Sequence, residues 1–366
     1  MAAIFDFGGR NLVNLYETVM TRDHVFAYLD SVIANGGGFN PPIQDNVRAD
    51  LQTIRDQIAL LSLPNGAEYS GNATLRPNQH LRRSLNAGWN AQPRTAPSKF
   101  DLLVQDAHFW RKQRPDGHEL PYWSPYDLLG LFLSKMGPAP NHGTANRDNF
   151  YIPLVAVYAR FCMLIAGNKR PALTTDPARA NRRTRGAGDA STYYQCTWEP
   201  WSGQFFLGAV LAGYKWEVED GVGTWKPVVR ETRHDLLNGF HGFPGQWQVW
   251  TRSPTNDRDG RDTVFGNCAE TFPFLEMLAP HYNATERARM CGRALHRNFS
   301  SIAQYNHGAI TGWCDSPCLN CKQLLNWAGV APPYRNFTTP RQRRGRGGGR
   351  GGGGGGRGGG GGGRGM

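Results

Sequence analysis

The sequence lacks the features that mark secreted and membrane-spanning proteins. Its start carries no basic stretch followed by an apolar core, which a secretion signal requires. Its most apolar stretch, residues 151–167, contains Pro153 and Arg160 and falls short of the roughly 20 apolar residues of a membrane span. We therefore interpret this stretch as a buried helix. We expect an intracellular protein of the cytoplasm or nucleus that is neither secreted nor bound to a membrane.

The sequence also lacks an even set of cysteines. It contains seven, and an odd number without a secretion signal argues against a scaffold held by disulfides. Three of them, Cys314, Cys318 and Cys321, fall within eight residues. In a reducing compartment, such clustering is more typical of a metal site than of disulfides.

Acidic residues are absent from the C-terminal tail, residues 335–366, which contains eight arginines. The rest of the chain has 33 basic and 29 acidic residues, so most of the formal net charge of +12 belongs to the tail. From residue 341 the tail is almost only Arg and Gly, a composition that cannot bury a core, so we predict that residues 335–366 are disordered. Because arginine pairs with phosphates and stacks on bases, the tail predicts RNA or single-stranded DNA as a partner. A disordered end that only increases solubility is the alternative.

The body of the chain has the composition of a folded protein, with 39% hydrophobic and 11% aromatic residues. Apolar residues recur at helical spacing over 11–34 and 44–63, and Ser124 is placed to cap a helix over 128–133. The patterns further predict strands over 225–230, 246–251 and 309–313, helices over 268–278, 285–297 and 318–328, and loops over 64–100, 169–190 and 253–263. We therefore predict a mostly helical region over residues 1–235 and an α/β domain over residues 236–334.

Two short segments of this α/β domain carry residues suited to metal chemistry. The first is Gly266-Asn267-Cys268-Ala269-Glu270, and the second is Ser316-Pro317-Cys318-Leu319-Asn320-Cys321. Both are placed at the start of a predicted helix. Cys318 and Cys321 are three residues apart, so both sulfurs can reach one ion from a single helical turn. Cys268 would supply a third ligand.

This ligand set favours zinc with one open coordination position. Zinc takes thiolate and imidazole ligands in tetrahedral geometry, and a catalytic zinc keeps the fourth position for water. The partial positive charge of two helix N-termini favours thiolates. Glu270 follows Cys268 by two residues, close enough to move a proton to and from that water without binding the ion.

At these residues the chain resembles the zinc-dependent cytidine deaminase superfamily. The family pattern is His or Cys, any residue, Glu, and later Pro-Cys-x-x-Cys. Here it is matched by Cys268-Ala-Glu270 and Pro317-Cys-Leu-Asn-Cys321. The use of Cys as the first ligand is similar to the enzymes of free nucleosides and to some toxin-type deaminases. The resemblance covers about 65 residues, roughly 264–328.

The resemblance implies a three-layer α/β/α domain around a mixed sheet, with Zn²⁺ held by Cys268, Cys318 and Cys321. It also implies hydrolytic removal of an exocyclic amine, with Glu270 as the proton-transferring residue. Thr271 stands where the nucleoside enzymes usually have Arg, and no Asn-x-Glu triplet precedes Cys268 to bind ribose. These two departures favour a base in RNA or single-stranded DNA as the substrate. A free nucleoside or nucleotide remains the alternative.

Other interpretations of the same residues stay open. Cys314 could join the three other cysteines in a closed four-cysteine zinc site, which would make the protein a non-catalytic RNA-binding protein. Asn267 could bind substrate or cap the following helix. Trp313 could stack on a base or belong to the core.

Overall fold

A computed structural model of the chain describes residues 3–39, 42–61, 111–113, 119–122, 124–141, 143–166, 190–211, 233, 237, 266–277, 283–330, 332 and 334–338. The strands predicted over 225–230 and 246–251 lie outside the described residues. The same is true of the loops predicted over 64–100 and 253–263, of the loop predicted over 169–190 except for Ala190, and of the Arg/Gly tail from residue 341.

The N-terminal part is helical, as the spacing of its apolar residues predicts. A small hairpin of β1 (Asp6–Phe7) and β2 (Arg10–Asn11) precedes α1 (Leu12–Thr18), α2 (Arg22–Asn35) and α3 (Asp45–Leu61). The Thr21 side chain caps α2 by accepting a hydrogen bond from the His24 N–H at 3.2 Å. Leu51, Ile54 and Ile58, which share one face of α3, are fully buried.

Two apolar helices form the centre of the core. The hairpin of β3 (Arg111–Gln113) and β4 (Glu119–Pro121) precedes α4 (Pro125–Lys135), and α5 (Ile152–Ala166) follows a π-helical turn at Arg147–Tyr151. The predicted cap of α4 is confirmed, because Ser124 Oγ accepts the Tyr126 N–H at 3.2 Å. Arg147–Ala166 has the length and composition of a membrane span, but 89% of its most apolar 18-residue stretch is buried inside the protein. This burial confirms the prediction of a core helix.

A four-stranded sheet packs against these helices. It contains β5 (Tyr193–Trp198), β6 (Phe205–Ala209), β7 (Cys291–His296) and β8 (Cys314–Asp315) in the order β6-β5-β7-β8. Every neighbouring pair of strands is antiparallel, whereas the family resemblance implies a mixed sheet. β5 is a central strand because its backbone pairs with β6 on one side and with β7 on the other.

Helices lie on both faces of the sheet. Neighbouring residues of a strand point to opposite faces, and Leu207 and Gly208 of β6 contact different helices. A Cβ atom added to Gly130 of α4 would lie 2.5 Å from the Leu207 carbonyl oxygen. A Cβ atom added to Gly208 would lie 2.6 Å from Cδ of Pro273, which belongs to α6 (Thr271–Met277). The described part is therefore an α/β structure in the broad sense predicted.

The C-terminal third differs from the sequence prediction in two places. The helix predicted over 285–297 is a shorter helix, α7 (Ala284–Arg289), followed by strand β7. The strand predicted over 309–313 is the helix α8 (His307–Thr311), which follows the 3-10 helix Arg297–Ser301. The last predicted helix is confirmed as α9 (Leu319–Trp327). Pairing with β5 explains the first difference, because β7 gains a complete strand partner in place of helical hydrogen bonds.

The sheet contains strands from both sides of the boundary predicted between residues 235 and 236. β5 and β6 precede this boundary and β7 and β8 follow it, yet they form one sheet. Buried residues from both sides also belong to one hydrophobic cluster. The described helices before residue 235 and the cysteine-bearing segments after it thus share a core.

The first residues of the predicted tail also belong to the folded part. Phe337 is 1% exposed and contacts Phe274 edge to face, with ring centroids 5.9 Å apart. The Asn336 carbonyl accepts the Gly292 N–H at 3.1 Å and Arg293 Nη1 at 2.5 Å. The prediction of a disordered tail from residue 335 is therefore wrong for residues 335–338, because this short segment buries an aromatic ring.

Candidate metal centre

Cys268 and Glu270 lie in a turn immediately before α6. The turn is attached to the end of β6, where the Leu211 N–H donates to the Asn267 carbonyl at 3.0 Å. The Cys268 carbonyl accepts the Thr271 hydroxyl at 2.9 Å, which starts the helix. Gly208 has no side chain, so the turn packs directly on the face of the sheet.

The second segment lies at the start of α9. Cys318 occupies the N-cap position with an extended backbone, and its carbonyl accepts the Lys322 N–H at 2.9 Å. Cys321 lies in the first turn of the helix. Pro317 precedes the cap, where the lack of an N–H has no cost to the helix. The two cysteines thus face one point in space, as their spacing predicts.

The three predicted cysteine ligands come together. The Sγ atom of Cys318 lies 3.5 Å from that of Cys268 and 3.5 Å from that of Cys321. All three sulfurs lie within 4.8 Å of one another. Tetrahedral thiolates at a metal–sulfur distance of about 2.3 Å would be roughly 3.8 Å apart, so the group fits a metal ion. Among the described residues this is the only group of three or more possible ligands.

The thiols of this group share hydrogen bonds that separate their acidities. Hydrogen bonding with Cys268 and Cys321 holds the pKa of Cys318 well below its usual range. The hydrogen bond with Cys318 raises the pKa of Cys268, and burial raises that of Cys321. The arrangement therefore favours a thiolate at Cys318 beside the two other thiols. A bound cation would favour the thiolate form at all three positions.

Glu270 is buried beside the cysteines, with 6% of its surface exposed. Burial raises the pKa of Glu270 to about 7, and the nearby Cys318 thiolate adds to this effect. A hydrogen bond from the Cys321 thiol and the charge of Arg233 act in the opposite direction. A carboxyl group in this position can accept or donate a proton near neutral pH.

The turn is held from behind by an ion pair that the sequence did not indicate. Arg233 Nη2 donates to the Cys268 carbonyl at 2.8 Å and to the Ala209 carbonyl at 3.3 Å. Its Nη1 lies 3.6 Å from Asp127 Oδ2, and both side chains are 1% exposed. Desolvation by burial raises the pKa of Asp127 to about 6, although the Arg233 charge opposes this shift. The apolar run that follows Asp127 was a possible sign of a buried carboxyl group, but no pattern indicated Arg233.

A second contact fixes α6 from the N-terminal side. Tyr122 donates its hydroxyl to Glu276 Oε1 at 2.8 Å and stacks on Phe272, with ring centroids 4.4 Å apart. Glu276 and Phe272 both belong to α6. The helix that follows the Cys268 turn is thus oriented by Tyr122, a residue from the N-terminal part of the chain.

The remaining predicted residues have different positions. Asn267 Oδ1 is buried and has no hydrogen-bond partner among the described residues, so a cap on α6 is not observed. Trp313 stacks on His296 with ring centroids 5.9 Å apart. Cys314 lies in β8, where it pairs with Leu295 of β7, and it does not belong to the three-cysteine group. The substrate roles of Asn267 and Trp313 remain predictions.

Comparison with family models, with curated proteins and with solved structures gives no match. The function has to be inferred from the geometry of this centre and from the sequence pattern that led to it.

Proposed function

We propose that this protein is a zinc-dependent hydrolytic deaminase of a nucleobase in RNA or single-stranded DNA. The observation that carries the proposal is the meeting of three cysteine sulfurs within 4.8 Å, with the buried Glu270 in the same turn as Cys268. Three thiolates, with no fourth ligand among the residues that the structure describes, would leave one position open, as catalytic zinc sites do. The proposed architecture is the three-layer α/β/α domain of the family that the sequence resembles.

Zinc supplies Lewis acidity that lets a water molecule ionise near neutral pH. The residues of the chain then have separate tasks in the reaction. Glu270 accepts a proton from the attacking water and delivers it to the leaving amine, so that water is consumed and ammonia is released. Arg233 and Thr271 hold the Cys268 carbonyl and fix the position of the turn. The unpaired Oδ1 of Asn267 is the proposed acceptor for a substrate N–H.

The position of Cys314 argues against a closed four-cysteine site. Cys314 lies outside the group that can hold an ion. Burial raises the pKa of the Cys314 thiol to about 11, although Arg293 and Arg147 oppose this shift. A non-catalytic protein with a structural zinc is therefore the weaker alternative. The described cysteines form no disulfide, which suits the cytoplasm or nucleus as the proposed location.

The test combines metal content with ammonia release from nucleosides, nucleotides and single-stranded oligonucleotides. We expect one zinc per chain and higher turnover on an oligonucleotide than on the corresponding free nucleoside. Glu270→Gln keeps the size of the side chain and should retain zinc, while turnover falls by about 10²–10⁴-fold. Equal ammonia release from the wild-type and Glu270→Gln proteins would remove the proposed mechanism. Higher turnover on the nucleoside would instead identify a nucleoside deaminase.

The contribution of the Arg/Gly tail can be tested separately. A truncation after Thr338 keeps the buried Phe337 and removes seven of the eight tail arginines. Because arginine–phosphate contacts release counterions, the truncated protein should bind oligonucleotides more weakly and with a shallower salt dependence. Unchanged affinity at low salt would exclude the tail from nucleic-acid binding.

A further inference from the structure

Trp201 is the most exposed large apolar side chain among the described residues. It lies in the turn between β5 and β6, and 72% of its surface is exposed. Trp198, three residues earlier, shows the usual position of such a ring. It is 4% exposed and stacks on Tyr151, with centroids 4.4 Å apart. The protein thus buries one of two nearby indoles and presents the other to solvent.

The turn that carries Trp201 is held by several hydrogen bonds. Glu199 Oε2 accepts the backbone N–H groups of Trp201 at 3.0 Å and Ser202 at 2.6 Å. The Glu199 N–H donates to the Gln204 carbonyl at 2.9 Å, and the Gly203 N–H donates to the Glu199 carbonyl at 3.0 Å. Gly203 has φ +70°, which glycine adopts without strain. These hydrogen bonds fix the backbone that carries the exposed Trp201 ring.

A cation lies against the ring. The guanidinium carbon of Arg289 is 4.2 Å from the Trp201 ring centroid, and Arg289 Nε lies 3.3 Å from Glu199 Oε1. Arg289 belongs to α7, and residues 284–297 contain four arginines and one acidic residue. An exposed indole with a stacked guanidinium matches an anionic partner that also has planar rings.

We propose that Trp201 and Arg289 form a stacking platform for a base of single-stranded nucleic acid, at a distance from the metal centre. One base would lie on the exposed indole, and Arg289 would attract the adjacent phosphate. This inference rests on the proposed function, because it assigns the surface that holds the rest of the polynucleotide. The platform extends that function by adding a second contact, which a free nucleoside cannot make.

The position of the platform gives it a length requirement. β6 leads from the turn to Leu211, whose N–H donates to Asn267 beside the metal ligands. Six residues separate Phe205 from Leu211, which is about 20 Å of extended chain. A stacked strand with about 3.4 Å per nucleotide needs about six nucleotides to cover that distance. A dodecanucleotide can reach both places, whereas a trinucleotide cannot.

The experiment compares full-length Trp201→Ala and Trp201→Phe proteins with the wild type. Binding of fluorescein-labelled 12-nucleotide RNA and DNA of one sequence is measured by fluorescence anisotropy. Loss of one stacked base weakens binding by about 10-fold, so we expect this effect for Trp201→Ala and much less for Trp201→Phe. Met20→Ala is the control, because Met20, at 52%, is the other exposed large apolar residue in the described part of the chain. The RNA and DNA arms show which strand the platform prefers.

A second readout separates the platform from the catalytic proposal. Trp201→Ala should keep wild-type zinc content and wild-type turnover on a nucleoside and a trinucleotide. Weaker 12-nucleotide binding without ammonia release from any variant would support the platform and reject the deaminase. Wild-type binding of both 12-nucleotide strands by Trp201→Ala would overturn the platform. If that result came with a change in oligomeric state on gel filtration, the ring would belong to a contact between copies of the chain.

Discussion

The close contact between the sheet and the turn that carries Cys268 makes Gly208 a test of the proposed metal centre. In a Gly208→Ala protein the new Cβ would lie 2.6 Å from Pro273 Cδ and closer still to the Ala269 carbonyl oxygen. Normal carbon contacts need about 3.5 Å, so the turn has to move by about 1 Å. Ala269 lies between Cys268 and Glu270. Because metal–ligand distances tolerate only about 0.2 Å, the shift should lower metal affinity.

Gly130→Ala is a matched control, because Gly130 of α4 contacts the opposite face of β6. Its Cβ would lie 2.5 Å from the Leu207 carbonyl oxygen, which is a comparable clash that does not involve the ligand turn. Each variant should lose about 1–3 kcal/mol of stability through overpacking. Gly143→Ala, where a Cβ meets nothing within 4 Å, should match the wild type.

The assay measures folding and metal binding independently. Urea unfolding gives the stability of each variant, and competition with a chelator at a temperature far below the unfolding midpoint gives metal affinity. We expect Gly208→Ala and Gly130→Ala to be similarly destabilised, but only Gly208→Ala to lose metal more readily. If both variants hold metal with the same affinity, the contact between Gly208 and the turn does not position Cys268.

Three further predictions address the cysteines and the buried ion pair. The Cys318→Ser protein should lose the metal and be less stable, whereas the Cys314→Ser protein should keep the metal. Metal analysis of both variants after dialysis tests this difference. Burial raises the pKa of Cys291 to about 11, so its small thiolate fraction should make alkylation by iodoacetamide at pH 8 slow by mass spectrometry. A rapid reaction at Cys291 would contradict this raised pKa. Asp127 has a pKa of about 6 when folded and about 3.9 when unfolded, so the folded state binds more protons between these values. The free energy of unfolding should therefore fall by about 2 kcal/mol from pH 4 to pH 6 relative to Asp127→Asn; equal pH dependence in urea unfolding would refute this.

The sequence predicted local structure well where one helix face carries the apolar residues. The helices α2 and α3 were predicted from spacing alone because their burial follows the helical period. The strand β7 was mistaken for helix because Ala, Arg and Leu favour helices locally. Its pairing with β5, almost 100 residues earlier, decides its structure, and local patterns do not report such contacts.

In the proposed metal centre, too, local sequence patterns predicted one part and contacts between distant residues decide the other. The spacing of Cys318 and Cys321 and the family pattern that includes Cys268 predicted the three sulfurs that meet, with Cys314 left open as a fourth ligand. The support behind them was not predictable, because Arg233 reaches the Cys268 carbonyl across 35 residues of chain and pairs with Asp127 from a distant helix. These contacts depend on the packed fold rather than on any local motif.

The strand β6 has a consequence for how this protein can be divided. α4 packs on one face of β6 and the turn that carries Cys268 packs on the other. The helical part and the proposed metal centre therefore share this strand as a support. A fragment that starts after residue 235 would lack β6, and its strands β7 and β8 would lose the partner strand β5. The proposed metal centre therefore cannot be moved to another protein as the segment after residue 235 alone. Recombination between β6 and the Cys268 turn would separate the turn from the strand that supports it.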